Sequence, residues 1–289
     1  MTADRRAATV VLAGGHESGH ARDLAPLVER GPAIHAAAAP GRDLAAAVRS
    51  ALAATGGPVC VVPMTLGRDP KLVADSARAL HWLAAGEARG RLALTAPFGA
   101  AEHLVGWLRA AAGTDPDPDG AILVTAPAAG PFEDAELFRI ARLVRQYGHH
   151  RLVEVALAGG DPDPADGAER CRLLGARTVT AVPASFGRAV APPAPAGVRD
   201  GGPLLRPAAI AGVVAARTAA ALHLLGHGED GVAAGLDAEH GHGYAHSHGP
   251  GGAHGHGPGA GHGHGPGQGQ GPGHSHASAH SHTHVHTHH

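Results

Sequence analysis

Val59-Cys-Val-Val-Pro-Met-Thr-Leu-Gly-Arg68 reappears later in the chain as Val179-Thr-Ala-Val-Pro-Ala-Ser-Phe-Gly-Arg188. Each stretch is an apolar run followed by Pro, two residues, a large apolar side chain, Gly and Arg. Working outward, Asp43-Leu-Ala-Ala-Ala-Val-Arg-Ser-Ala-Leu52 and Asp163-Pro-Ala-Asp-Gly-Ala-Glu-Arg-Cys-Arg172 precede these runs at matching distances, and both read as helices leading into a strand. Further back, Val10-Val-Leu-Ala-Gly-Gly-His16 stands opposite Ala121-Ile-Leu-Val-Thr-Ala-Pro127, with Gly19 and Gly130 at the same offset. Self-similarity at several separated points marks a duplicated unit. Two tandem copies of one α/β unit account for it.

Within each copy, short apolar runs alternate with helical patterns. Strands are expected near 8–13, 33–38, 58–63 and 91–96, then near 121–125, 152–158 and 177–182. Helices are expected near 20–30, 42–54, 70–86 and 100–112, then near 132–147, 163–174 and 207–225. Near-continuous apolar strands separated by helices imply parallel sheets covered on both faces. The fold class is therefore α/β, with two similar lobes, each a parallel sheet flanked by helices. The expected boundaries are 1–114 for the N-terminal lobe, 115–120 for a linker, 121–226 for the C-terminal lobe and 227–289 for a tail. The linker is Asp115-Pro-Asp-Pro-Asp-Gly120, polar and broken by proline. Residues 190–207, rich in Pro and Gly, take the place of a fourth connection in the second lobe. Sites in such sheets lie beyond the carboxyl ends of the strands, which singles out the loops after residues 13, 63, 96, 125 and 183.

Charge excludes one class of function. The 289 residues carry a formal charge of −2 with histidines neutral, whereas a nucleic-acid binder shows a basic face. Cys60 and Cys171 sit beside apolar runs and read as buried small hydrophobes rather than a disulfide framework. The first ten residues lack a long apolar signal region, and no uncharged apolar run reaches about 18 residues. No membrane span is expected, and the location that follows is cytoplasmic.

The 25 histidines and 44 glycines are the large departures from ordinary usage, and most of the histidines fall in the tail. They recur at alternate positions: His240 and His242, His246 and His248, His254 and His256, His262 and His264, His274 and His276. His280, His282, His284, His286, His288 and His289 follow. The tract has no apolar periodicity, so disorder is expected without metal. Neutral imidazole suits Ni²⁺, Co²⁺, Cu²⁺ and Zn²⁺, and a Gly-rich backbone lets many pairs share ions, giving capacity rather than fixed geometry.

His16 is the second chemical signal. It lies in Gly14-Gly-His-Glu-Ser-Gly-His20, directly after the first strand. Glycines there allow a sharp turn that presents the imidazole at the carboxyl edge of the sheet, as a metal ligand or general base. His20 is expected on the first turn of the next helix, in solvent.

A strand running into Gly15-His16-Glu17-Ser18 resembles the opening of the class II tetrapyrrole metal chelatases, the family of sirohydrochlorin cobaltochelatases and ferrochelatases, where the motif reads Gly-His-Gly-Ser. The strand carrying Pro63, Leu66 and Gly67 is similar to that family's Pro-Leu-Phe-Leu-x-x-Gly stretch, and Thr95-Ala-Pro-Phe-Gly-Ala-Ala-Glu-His-Leu104 to its Pro-Leu-Gly segment. In the second copy, Glu133 to Val144 and Leu174 to Pro183 resemble the family's second half. The likeness covers roughly residues 8–225 and, with the tail, points to the long two-copy form.

What the resemblance implies is specific. His16 would present a divalent ion and help accept the pyrrole protons it displaces. The family's second ligand is a His in Gly-x-His-x-x-x-Asp, but Gly67-Arg-Asp-Pro-Lys-Leu-Val-Ala-Asp75 has Asp69 there. Asp69 or Glu17 would ligate the ion or balance its charge. Arg68, Lys71 and Arg188 would pair with the carboxylates of a sirohydrochlorin-type tetrapyrrole. Pro127 stands at the ligand position of the second copy, so a single active cleft is expected. Glu102 and His103 are replacement ligands or, more simply, a solvated helix face. No organic cofactor is implied. The activity implied is a lyase reaction, insertion of cobalt for cobalamin synthesis, with iron for sirohaem and nickel left open. The alternative is a non-catalytic cobalt or nickel store or chaperone on a degenerate chelatase fold. No Gly-x-Gly-x-x-Gly loop or Gly-x-Ser-x-Gly elbow supports a different α/β enzyme.

Overall fold

The computed structural model describes residues 8–31, 33–115, 117, 119–191 and 194–239. Four strands form the first sheet: β1 (Thr9–Gly14), β2 (Ile34–Ala38), β3 (Val59–Met64) and β4 (Leu92–Leu94). The second holds β5 (Ala121–Pro127), β6 (Leu152–Ala158), β7 (Val179–Pro183) and β8 (Val198–Asp200). The strand orders, β2-β1-β3-β4 and β6-β5-β7-β8, are the same order repeated, and every pairing is parallel. Register differs by one residue: Ala121 aligns with Val10 in sequence, yet Ala121 lies beside Val179 while the residue beside Val59 is Thr9. The duplication read from the sequence is thus a duplication of topology.

The helices are α1 (Ala25–Arg30), α2 (Arg42–Ala54), α3 (Pro70–Ala85), α4 (Ala101–Ala112), α5 (Pro131–Tyr147), α6 (Pro164–Leu173), α7 (Pro207–Gly226) and α8 (Val232–Leu236). Proline opens α3, α5, α6 and α7, where its missing N–H costs nothing and its φ suits the first turn. Asp163 caps α6 by accepting from the Ala165 and Asp166 amides at 2.8 and 2.9 Å.

Strand alternation divides the first sheet into two faces. Val11, Ala13, Val59 and Val61 pack against Leu44 and Val48 of α2 and Leu80 and Leu83 of α3. Val10, Leu12, Val62 and Met64 face the other way, into a core shared with Ile122, Val124 and Val182 of the second sheet. Leu104 and Leu108 of α4 and Leu137, Ile140 and Val144 of α5 lie in that same core. Removing one such side chain, as in Leu104→Ala, typically costs about 2–5 kcal/mol.

The helices that close the two copies are exchanged. α4 follows the first sheet yet packs on α5 and β7 of the second. α7 follows the second sheet yet packs on β3 and β4 of the first, where Ala221 meets Cys60 and Ala93. Helix 207–225 was expected to close its own lobe, and this corrects that expectation. Two further segments differ. The stretch 190–207 contains β8, a strand of three residues too short and too polar to stand out from its Pro-rich surroundings. The boundary at 227 is also too early, because Val232 is buried and Gly235 lies against Leu94 and Ala77 so closely that a Cβ would fall within 2.6 Å of the leucine.

The expected linker is a staple. Asp115 accepts from the Thr180 hydroxyl and from Arg199 at 3.1 Å, while Asp117 accepts from Thr178 at 2.6 Å. Among the described residues α7 is the one helix long and apolar enough to cross a membrane, with a mean hydropathy of 1.7 and only 17% of its apolar window buried. The sequence expectation of no span rested on the absence of an uncharged run, and Arg217 is the charge that interrupts this one. Its guanidinium donates to the Phe98 carbonyl at 3.4 Å.

Candidate functional site

The loop after β1 is shaped by two close approaches. A Cβ on Gly14 would lie 2.5 Å from the Ala21 backbone, and one on Gly15 would lie 2.1 Å from Asp69 Oδ2. Both positions therefore require glycine. His16 to Ser18 form a single 3-10 turn, and Gly19, His20 and Ala21 follow with φ of 56°, 54° and 74°. Left-handed backbone costs a non-glycine residue roughly 1–2 kcal/mol, so the chain is held in this reversal by its surroundings. The helix expected from residue 20 accordingly begins only at Ala25. His20 is exposed, as expected.

The turn sets His16 against the start of α3. Asp69 caps that helix, its Oδ1 accepting from the Leu72 amide at 2.9 Å. Its Oδ2 lies 2.9 Å from His16 Nδ1 and accepts from the His16 amide at 3.3 Å. A carboxylate is an acceptor only, so Nδ1 carries a proton, and in the neutral imidazole the lone pair then lies on Nε2. His16 Nε2 is buried and has no hydrogen-bond partner. Burial pushes the Asp69 carboxyl up, but the hydrogen bonds and charge of His16 and the Leu72 amide outweigh it and hold the group below its ordinary value.

Glu17 points the other way, into the protein, and is fully buried. Its Oε2 accepts from the Thr65 hydroxyl at 2.5 Å and the Leu66 amide at 2.9 Å, while Oε1 has no partner. Burial raises its pKa, against the opposing influence of Arg68, Thr65 and His16. Thr65 is the hub of the loop after β3, because its hydroxyl also accepts from the Gly67 and Asp69 amides at 3.0 and 3.1 Å. One threonine thus ties Glu17 to the residue that orients His16.

Arg68 departs most from expectation. A place on a carboxylate-binding rim requires exposure, and Arg68 is 1% exposed. Its Nε donates to the Glu133 carbonyl at 3.2 Å and its Nη2 to Asp134 Oδ1 at 3.4 Å, both at the start of α5. Burial pulls its pKa down, while Glu17 and Asp134 push it up. It is a charged bolt between the two copies. Asp69 is likewise an orienting group, with both oxygens engaged, rather than a spare ligand. Glu17 is sealed behind the loop. Lys71 and Arg188 do lie at the surface, paired with Asp75 and with Asp200 at 3.1 Å. Glu102 and His103 are exposed, and His103 Nδ1 accepts from the Ala100 amide at 3.1 Å, capping its own helix.

The second copy reaches this loop through its own repeat stretch. The Phe186 amide donates to the Glu17 carbonyl at 2.8 Å, and its ring meets Phe98 edge-on at 5.3 Å. The seam between the copies therefore runs past His16. A cavity of about 300 Å³ lies elsewhere, at the start of β3, lined by Gly57, Pro58, Arg91, Leu222 and Leu225. Among the described residues no three His, Cys, Asp or Glu side chains are grouped to hold a metal ion. The tail histidines, His240 to His289, lie outside the described residues.

The sequence reading passed over Thr65, Glu133 and Asp134 as parts of the site. Thr65 had a signal, since a small hydroxyl stands at the same place in both copies, Thr65 and Ser185. The two acids had none, because their partner lies 65 and 66 residues away.

Among solved structures, the chain is similar to a multi-domain protein of Deinococcus radiodurans, described as having structural similarity to chelatases and two additional novel domains. Identity is 22% and the TM-score 0.44, over 73% of this chain and 55% of that one. The chain thus spans about half the length of that protein. No family model matches the chain, and no curated protein matches it.

Proposed function

We propose that this protein is a cytoplasmic chelatase that inserts a divalent metal ion into a sirohydrochlorin-type tetrapyrrole, with His16 as the working residue. One observation carries the reading: a partly buried imidazole with Nδ1 held by a carboxylate and a buried Nε2 left without a partner. A carboxylate on the far nitrogen fixes the tautomer and raises the basicity of the near one. Nε2 is then suited to hold an incoming ion or to take up a proton.

Insertion replaces two pyrrole N–H protons by one divalent ion. His16 accepts one of them, Asp69 stabilises the imidazolium that results, and the second passes to solvent water. Lys71 and Arg188 are the exposed cations left for the carboxylates of the macrocycle, each shared with an acidic neighbour. Cobalt is the proposed substrate metal, with nickel and iron as the other ions to try. The tail supplies ions by raising their local concentration, which needs no fixed contact. A second reading, metal storage or delivery without insertion, is favoured by the lack of a third ligand among the described residues around His16.

The test is anaerobic mixing of sirohydrochlorin with Co²⁺, then Ni²⁺ and Fe²⁺, followed by absorbance with wild type and His16→Ala. Acceleration by wild type and a loss of about 10²–10⁴-fold in the variant is the expected result. No acceleration with any of the three ions moves the protein to the second reading.

A further inference from the structure

α7 ends in His223-Leu-Leu-Gly-His227, and its two histidines lie one helical turn apart. His227 continues the turn, its amide donating to the Leu224 carbonyl at 2.8 Å. Both residues are exposed, and their rings lie edge to face with centroids 4.8 Å apart. Among the described residues the rings meet each other and make no hydrogen bond or ion pair.

Two imidazoles at this spacing have the chemistry of a chelate. Borderline divalent ions take imidazole nitrogen readily, with metal–nitrogen distances of about 2.0–2.1 Å. The last torsion of histidine is broad and soft, so both rings can turn a nitrogen toward a common point without moving the backbone. The place also favours a cation. Both rings sit at the carboxyl end of a 20-residue helix, where the last carbonyls carry the negative end of its dipole.

We infer that His223 and His227 form a two-imidazole site for a hydrated transition-metal dication such as Ni²⁺, Co²⁺ or Cu²⁺, with water or another side chain completing the coordination. The site is separate from His16 and does not depend on insertion chemistry. It stands thirteen residues before His240 in the chain, giving the ion a seat on the folded body next in sequence to the histidine tract.

The experiment uses the full chain with Ni²⁺ in excess over all 25 histidines. Histidine modification by diethyl pyrocarbonate is then read residue by residue by mass spectrometry. His223 and His227 should slow together by about tenfold, while His81, exposed on α3 with no second histidine one turn away, changes by less than about twofold. In His223→Ala, His227 should return to its metal-free reactivity. Equal slowing at His81 overturns the inference, as does unchanged reactivity at the pair. Continued protection of His227 in the His223→Ala chain overturns it too, since it would place the ion on another partner.

Discussion

Arg68 and Arg188 hold the same place in the two copies of the repeat, and they have opposite fates. Arg68 is buried and bolts the first copy to the start of α5. Arg188 is 72% exposed and pairs with Asp200 at the surface. The next residue explains much of the difference. Asp69 caps α3 and turns the chain back under the sheet, whereas its counterpart Ala189 has no side chain to cap with, and the chain runs on to β8. The edge of the strand differs in the same sense. After β1 two glycines let the chain fold back over Asp69, while β5 continues straight through Pro127, still paired with Ala158. Duplicated topology thus does not duplicate the loops: among the described residues the His16–Asp69 contact and the buried arginine belong to the first copy.

The comparison can be broken most directly by removing the two arginines in turn. Arg68→Ala leaves the Glu17 and Asp134 carboxylates without a buried counter-charge, which typically costs 3–5 kcal/mol, so about that loss is expected in urea unfolding. Arg188→Ala should cost less than about 1 kcal/mol, because an exposed pair is screened by water. Equal losses would show that the burial of Arg68 does not matter.

A smaller effect is expected at Asp69. Asp69→Asn keeps an oxygen for the Leu72 amide, so the helix cap survives, but it weakens the hold on His16 Nδ1–H. Insertion should slow by about 10–100-fold, the usual loss when the partner of a working histidine is removed, with the unfolding midpoint nearly unchanged. A variant with wild-type rate would reduce Asp69 to a cap.

The smallest expected effect is one of pH. Burial raises the Glu17 carboxyl above its ordinary 4.5, so the folded chain holds this proton more tightly than the unfolded chain does. Its contribution to stability is present at low pH and is lost as pH rises from that ordinary value toward the raised one. Asp69, held below its ordinary 3.8, acts oppositely: its contribution is present above that value and is lost as pH falls through the depressed one. Unfolding measured from about pH 4 to 8 should therefore show Glu17→Gln gaining on wild type as pH rises. A constant difference across that range would mean that Glu17 titrates normally.

Much of this was legible in the residues. Among the described residues seven of the eight strands fall where apolar runs stand, most plainly β1, β3, β5 and β7, which are buried along nearly their whole length and so must be apolar throughout. β8, three residues among prolines and glycines, offered no run to see. The turn at Gly14 and Gly15 was legible because glycine leaves a mark wherever a backbone must be approached closely. Asp69 could be picked out as the residue standing where the chelatase pattern has histidine, but its task could not. A carboxylate reads alike in sequence whether it ligates, caps or orients, and only its neighbours in space tell these apart.

Order along the chain determined the duplicated α/β unit, its parallel strands and the placing of His16 at a carboxyl edge, since these follow from periodicity and from glycine within one stretch of residues. Tertiary structure alone decided that α4 and α7 change places, that Arg68 is buried between the copies, and that Asp69 faces His16. Those outcomes depend on which apolar surfaces meet across a shared core, and a pairing between residues 53 or 65 apart is set by that packing rather than by anything the two share in sequence.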